Sequence, residues 1–130
     1  MKAIILAAGE STRMWPLASR RNKCMYEFLG KPLLQYTLEG LRKFSVRDIV
    51  IVKSSNDDSI KPIFKDGKAL GMRIEYVEQP KPLGTGDALL RAEKYSGEEF
   101  FVLNATKGDV EKALKPMLAL KKEKKFSLII

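Results

Sequence analysis

Lys2-Ala3-Ile4-Ile5-Leu6, followed at once by Ala7-Ala8-Gly9, decides how this sequence folds. A short apolar run cut off by small residues fits a strand covered on both faces. Such strands belong to parallel sheets, whose crossovers need helices, and the rest of the chain supplies them. Helical spacing of Leu33, Leu34, Tyr36, Thr37, Leu38, Leu41 and Phe44 predicts a helix to about Phe44, with Pro32 in its first turn. Asp48 to Val52 reads as a second buried strand, and Ile60, Ile63 and Phe64 as a short helix ended by Asp66-Gly67. Arg73 to Val77 reads as a third strand and Gln79 to Thr85 as a Pro- and Gly-rich loop. A helix over Asp87 to Tyr95, a strand at Phe100 to Leu103, a long helix over Val110 to Lys125 and a last strand at Phe126 to Ile130 complete the pattern. The alternation predicts an α/β fold: a three-layer, Rossmann-like sandwich around a mostly parallel sheet of about five strands. Ligands in such sheets bind beyond the C-terminal ends of the strands, where strand order reverses. The loops after the first, third and fourth strands are therefore the candidate regions.

Composition bounds the chemistry. The 130 residues suit one domain, and 45% hydrophobic with 31% charged residues is a globular composition. The apolar run from Ala3 to Ala8 is far short of the ~20 residues of a membrane span and too short for a signal-peptide core. With a single cysteine, Cys24, this favours a cytoplasmic protein in a reducing compartment, with no membrane partner. There are no histidines, which removes His-dependent triads and most zinc sites. The net charge of +8 is uneven: residues 1–30 carry five basic and two acidic groups, and residues 111–130 six and two. The C-terminal lysines Lys121, Lys122, Lys124 and Lys125 read as a solvated helix end, because no aromatic residues interleave with them; nucleic acid is not an expected partner. Arg13, Arg20, Arg21 and Lys23 around a glycine-containing loop are more suggestive, and a basic excess of this kind can mean nucleic acid, anionic lipid or a phosphorylated small molecule.

Within the first loop, Leu6-Ala7-Ala8-Gly9-Glu10-Ser11-Thr12-Arg13-Met14 places small residues after a buried strand, where backbone N–H groups can approach an anion. Arg13 adds a planar fork for phosphate oxygens. The sequence is neither a Walker A motif nor G-x-G-x-x-G. Asp57-Asp58 reads as a helix N-terminus rather than a metal pair, and Cys24, Trp15 and Tyr26 as packing or loop surface.

Taken in order, the first loop with Pro16-Leu17, then Lys23-x-Met25, then Gly30-Lys31-Pro32-Leu33-Leu34-x-Tyr36, and finally Gln79-Pro80-Lys81-Pro82-Leu83-Gly84-Thr85-Gly86 resemble the sugar-phosphate nucleotidylyltransferases. The resemblance implies one nucleotidyltransferase-like domain over residues 1–130, corresponding to the N-terminal half of that family's catalytic domain. It implies UTP or dTTP as nucleotide, a sugar 1-phosphate as acceptor, and Mg²⁺ as cofactor. It implies that the Leu6, Ala7, Ala8 and Gly9 backbone contacts the nucleoside and triphosphate, and that Arg13 and Lys23 hold the phosphates and stabilise charge at the α-phosphorus. Gln79 would bond a pyrimidine base, helped by Gly84 and Thr85. The physical reading agrees, since nucleotidyl transfer needs positioned in-line attack and cations around the phosphoryl oxygens, and a Gln amide can read an imide edge.

Three positions depart from the family's pattern. Ser11 stands where the family usually has Gly. Asn22 stands where it usually has Pro, which predicts a looser loop. After the fourth strand the family carries Asn-Gly-Asp, whose Asp binds the metal, where this chain reads Leu103-Asn104-Ala105-Thr106-Lys107-Gly108-Asp109. Without a gap Thr106 takes the Asp position, and a hydroxyl is a poor Mg²⁺ ligand. With a three-residue insertion Asp109 takes it. The preferred reading makes Asp109 the N-cap of the last helix. A non-catalytic nucleotide-binding or regulatory module of the same origin is thus an alternative to an enzyme, and a homo-oligomer or a partner chain stays open.

Overall fold

The computed structural model describes residues 2–8, 22–96, 100–105 and 110–121. Its first strand, β1, spans Lys2–Ala7, with Ala3, Ile4, Ile5 and Ala7 all buried. A short 3₁₀ turn at Lys23–Met25 leads to two two-residue strands, β2 (Glu27–Phe28) and β3 (Lys31–Pro32), paired antiparallel. Helix α1 (Leu33–Lys43) follows, then β4 (Asp48–Ser54), α2 (Lys61–Phe64), β5 (Arg73–Gln79), α3 (Thr85–Arg91), α4 (Glu93–Ser96), β6 (Phe100–Asn104) and α5 (Val110–Lys121).

Among the described residues the main sheet has four strands in the order β5-β4-β1-β6, every neighbour pair parallel. The chain runs outward from β1 through β4 to β5, then crosses to the other side of β1 to lay down β6. Strand order therefore reverses beside β1, and the C-terminal ends of β1 and β6 form the crevice of such a sheet. The expected fifth strand, Phe126 to Ile130, lies outside the described residues, as does the end of the last helix beyond Lys121.

Alternation along the strands sends side chains to two layers. Ala3, Ile5, Ala7, Ile49 and Ile51 pack with Leu34, Leu38 and Leu41 of α1 and with Val110 and Leu114 of α5. Ile4, Val50 and Val52 face Ala88 and Ala92 beneath α3 and α4. Each fully buried leucine or isoleucine contributes about 1.5–3 kcal/mol. The two helices on the first face approach closely: a Cβ on Gly40 of α1 would stand 2.9 Å from Val110 Cβ.

Three boundaries differ from the sequence expectation. β4 and β5 each run two residues further, to Ser54 and Gln79, which carries Gln79 onto the end of a strand. The helix expected over Asp87 to Tyr95 starts at Thr85 and breaks at Ala92, where the N–H bonds back to the Leu89 carbonyl three residues earlier. Pro32 is the N-cap of α1 and pairs in β3, one step ahead of the first turn.

Candidate active site

Gln79 ends β5 and is 4% exposed. A buried amide needs partners, and those of Gln79 define its orientation. Its Nε2 donates to the Gly84 carbonyl at 3.2 Å and to Asp87 Oδ2 at 2.8 Å. Both partners are acceptors, so only the NH₂ end can face them. Both amide hydrogens are thereby used, and Oε1 takes no bond among the described residues. Arg91 Nε holds the same Asp87 oxygen at 3.1 Å. The bonds from Gln79 and then from Arg91 hold the Asp87 carboxyl below its ordinary 3.8, so it is an anion at neutral pH. Gly84 makes this arrangement possible: at φ +92 it occupies a region disfavoured for other residues, and it is the N-cap of α3. Thr85 and Gly86 follow it, exposed, in the first turn.

The end of β1 lies two strands away, about 10 Å at ordinary strand spacing. Its carbonyls are occupied. Leu6 O accepts from Ala105 N at 3.0 Å, and Ala7 O accepts from Asn22 Nδ2. The groups left for a ligand begin at Ala8, which is 7% exposed. Lys23 sits on the 3₁₀ turn directly after Asn22 and is exposed. The structure thus brings Leu6, Ala7, Ala8, Lys23, Gln79, Gly84 and Thr85 to one edge of the sheet. Gly9, Arg13, Thr106 and Asp109 lie outside the described residues.

Asn22 does not loosen this edge. Its Nδ2 donates to Ala7 O and, at 2.9 Å, to Asp57 Oδ2, while its Oδ1 accepts from Cys24 N at 3.2 Å. Asp57 is no helix N-terminus either. Its Oδ1 accepts from Ser59 N at 2.8 Å and Ser59 Oγ at 2.6 Å, an Asx turn set ahead of α2. Lys53, 6% exposed, donates from Nζ to the Asp57 carbonyl at 2.9 Å and lies 3.5 Å from Glu78 Oε1. Sequence reading missed Asn22, Asp57, Lys53 and Asp87 as a group, because their partners are distant in the chain or read as ordinary helix residues. Cys24 is fully buried; burial first, and the Asp57 charge second, push its thiol up to about 12, so it is no nucleophile.

The described residues do not fit a resident Mg²⁺. Asp57 is spent on Asn22 and Ser59, Asp87 on Gln79 and Arg91, and Glu78 faces Lys53. No group of three or more potential ligands occurs among them. An open groove beside β4 and α2 mixes Lys53, Lys61 and Lys65 with Asp57, Asp58, Asp66 and Glu78, and offers no cationic excess for phosphate.

Comparison with known proteins agrees with this fold. A sequence model described as nucleotidyl transferase matches residues 2–130. The bifunctional protein GlmU of Methanococcus maripaludis is 38% identical over 110 residues, 85% of this chain and 25% of the relative. A glucose-1-phosphate thymidylyltransferase of Streptomyces griseus is 34% identical over 103 residues, 79% of this chain and 29% of the relative. A UTP-bound UGPase from Acinetobacter baumannii superposes with a TM-score of 0.68 at 25% identity, over 80% of this chain and 45% of that one. The chain therefore spans about a quarter to a third of these curated relatives and under half of that solved structure.

Proposed function

Because the chain belongs to the nucleotidyl transferase family, we propose that it supplies the nucleotide-binding half of a sugar-phosphate nucleotidylyltransferase. The reaction is transfer of a nucleotidyl group from UTP or dTTP to a sugar 1-phosphate, giving a nucleotide sugar and pyrophosphate. One observation is compatible with the uracil or thymine base that the family resemblance implies. The Gln79 amide is held by Gly84 and Asp87 so that, among the described residues, only its acceptor oxygen is unspent. That oxygen suits the N3–H of uracil or thymine. The relative named as a thymidylyltransferase and the UTP-bound neighbour support the same reading.

Lys23, with Arg13 from the preceding loop, would place positive charge around the triphosphate. Cations held where charge develops lower the barrier to in-line displacement without a covalent intermediate. Mg²⁺ would enter with the triphosphate. The protein is expected to work in the cytoplasm.

Calorimetry with UTP, dTTP, CTP and ATP tests the binding claim: UTP or dTTP should bind tightest. A pyrophosphate-release assay with several sugar 1-phosphates tests turnover. The second reading, a binding module without activity, is favoured by one sequence fact: no carboxylate occurs between Leu103 and Gly108, after β6. Binding without turnover would support it, and no binding of any nucleotide would overturn both readings.

A further inference from the structure

The side chain of Asn22 bonds the end of β1, fifteen residues earlier in the chain. Its Nδ2 has two acceptors, Ala7 O at the end of β1 and Asp57 Oδ2 after β4. Asn22 Oδ1 and the Asn22 carbonyl accept from Cys24 N and Met25 N, which sets the turn that carries Lys23. Both ends of this connection are themselves fixed. Ala7 is 3% exposed and stands in register with Lys53 of β4. Every oxygen of Asp57 has a partner: Oδ1 takes two bonds from Ser59, Oδ2 takes Asn22, and the carbonyl takes the buried Lys53. Its N–H bonds the Ser54 carbonyl at 3.0 Å. An anchor with no free polar atom cannot shift without losing several bonds at once.

We propose that Asn22 and Asp57 are positioning residues for the phosphate end of the nucleotide site. They clasp the Lys23 turn to the end of β1, and so hold the lysine's charge beside the strand end where the sheet's crevice opens. The consequence is specific to one part of the ligand. Losing the clasp weakens contact with phosphates, while the Gln79 site, built from β5 and α3, is untouched. This inference rests on the nucleotide-binding reading above.

The test compares UTP with uridine, which lacks the phosphates. Their affinities are measured for the full chain and for Asn22→Ala, Asp57→Ala, Asp57→Asn and the double alanine variant, with thermal melts to confirm folding. Asn22→Ala should weaken UTP about tenfold, the scale of one or two lost bonds, and leave uridine within about twofold. Asp57→Ala should match it, the double variant should be no worse than either single one, and Asp57→Asn, whose single amide oxygen cannot accept from both Ser59 and Asn22, should keep most of the loss. Equal weakening of UTP and uridine, or additive losses in the double variant, would overturn the clasp while leaving the nucleotide reading in place. A wild-type chain that binds neither ligand would overturn the nucleotide reading itself, and the clasp's role with it.

Discussion

Gln79 Nε2 lies 2.8 Å from Asp87 Oδ2, and that contact sets which face of a buried amide is left for a ligand. Removing the carboxylate removes the reason for the orientation. Asp87→Ala should lower UTP affinity about five- to tenfold, since a free amide must be ordered at each binding event. Calorimetry against wild type is the check, and an unchanged affinity would separate Asp87 from the site.

The same contact carries a pH dependence. Gln79 and Arg91 hold the Asp87 carboxyl below its ordinary value. A depressed folded-state pKa contributes stability that is present above the unfolded value of 3.8 and is lost as pH falls through the folded one. Base affinity should therefore stay flat from neutral pH down to 3.8 and fall only below it. A loss of affinity centred well above that range would mean another group controls the site.

Cys24 has the opposite sign. Its thiol is raised from 9.0 to about 12 by burial and then by Asp57. Above pH 9 the unfolded chain gives up its proton while the folded one keeps it, so stability should decline from pH 9 toward 12. The native protein should not react with a thiol reagent at pH 8, and the denatured protein should react once. Fast native labelling would contradict the burial.

Gly40 tests the packing of α1 on α5. Alanine is the better helix former by up to about 1 kcal/mol, yet its Cβ would meet the rigid branch of Val110 at 2.9 Å. The clash should win, with Gly40→Ala destabilising by about 1–2 kcal/mol. Pairing it with Val110→Ala should relieve little of the loss, because alanine keeps the Cβ that stands at 2.9 Å. A thermal melt of Gly40→Ala above that of wild type would show that the helices can separate at no cost.

How far the sequence spoke for itself depended on how local each feature was. Buried parallel strands are near-continuous apolar runs, so β1, β4 and β6 could be read from Lys2 to Leu6, Asp48 to Val52 and Phe100 to Leu103. The hairpin of β2 and β3 could not, because two-residue strands have no period. The Gln79 loop was legible as a motif, but the direction of its amide was not. That direction depends on Asp87, eight residues on, which local pattern assigns to an ordinary first turn. Asn22 was misread for the same reason: its partners Ala7 and Asp57 are 15 and 35 residues away, and only the folded sheet brings them together.

The central claim is that Gln79 Oε1 accepts a hydrogen bond from a pyrimidine base. The most direct measurement is calorimetry with UTP and with 3-methyluridine triphosphate, which differ at the N3–H alone. UTP should bind, the methylated nucleotide should bind at least about tenfold more weakly, and Gln79→Ala should bind both equally. Equal affinity of the wild-type chain for the two nucleotides would contradict it.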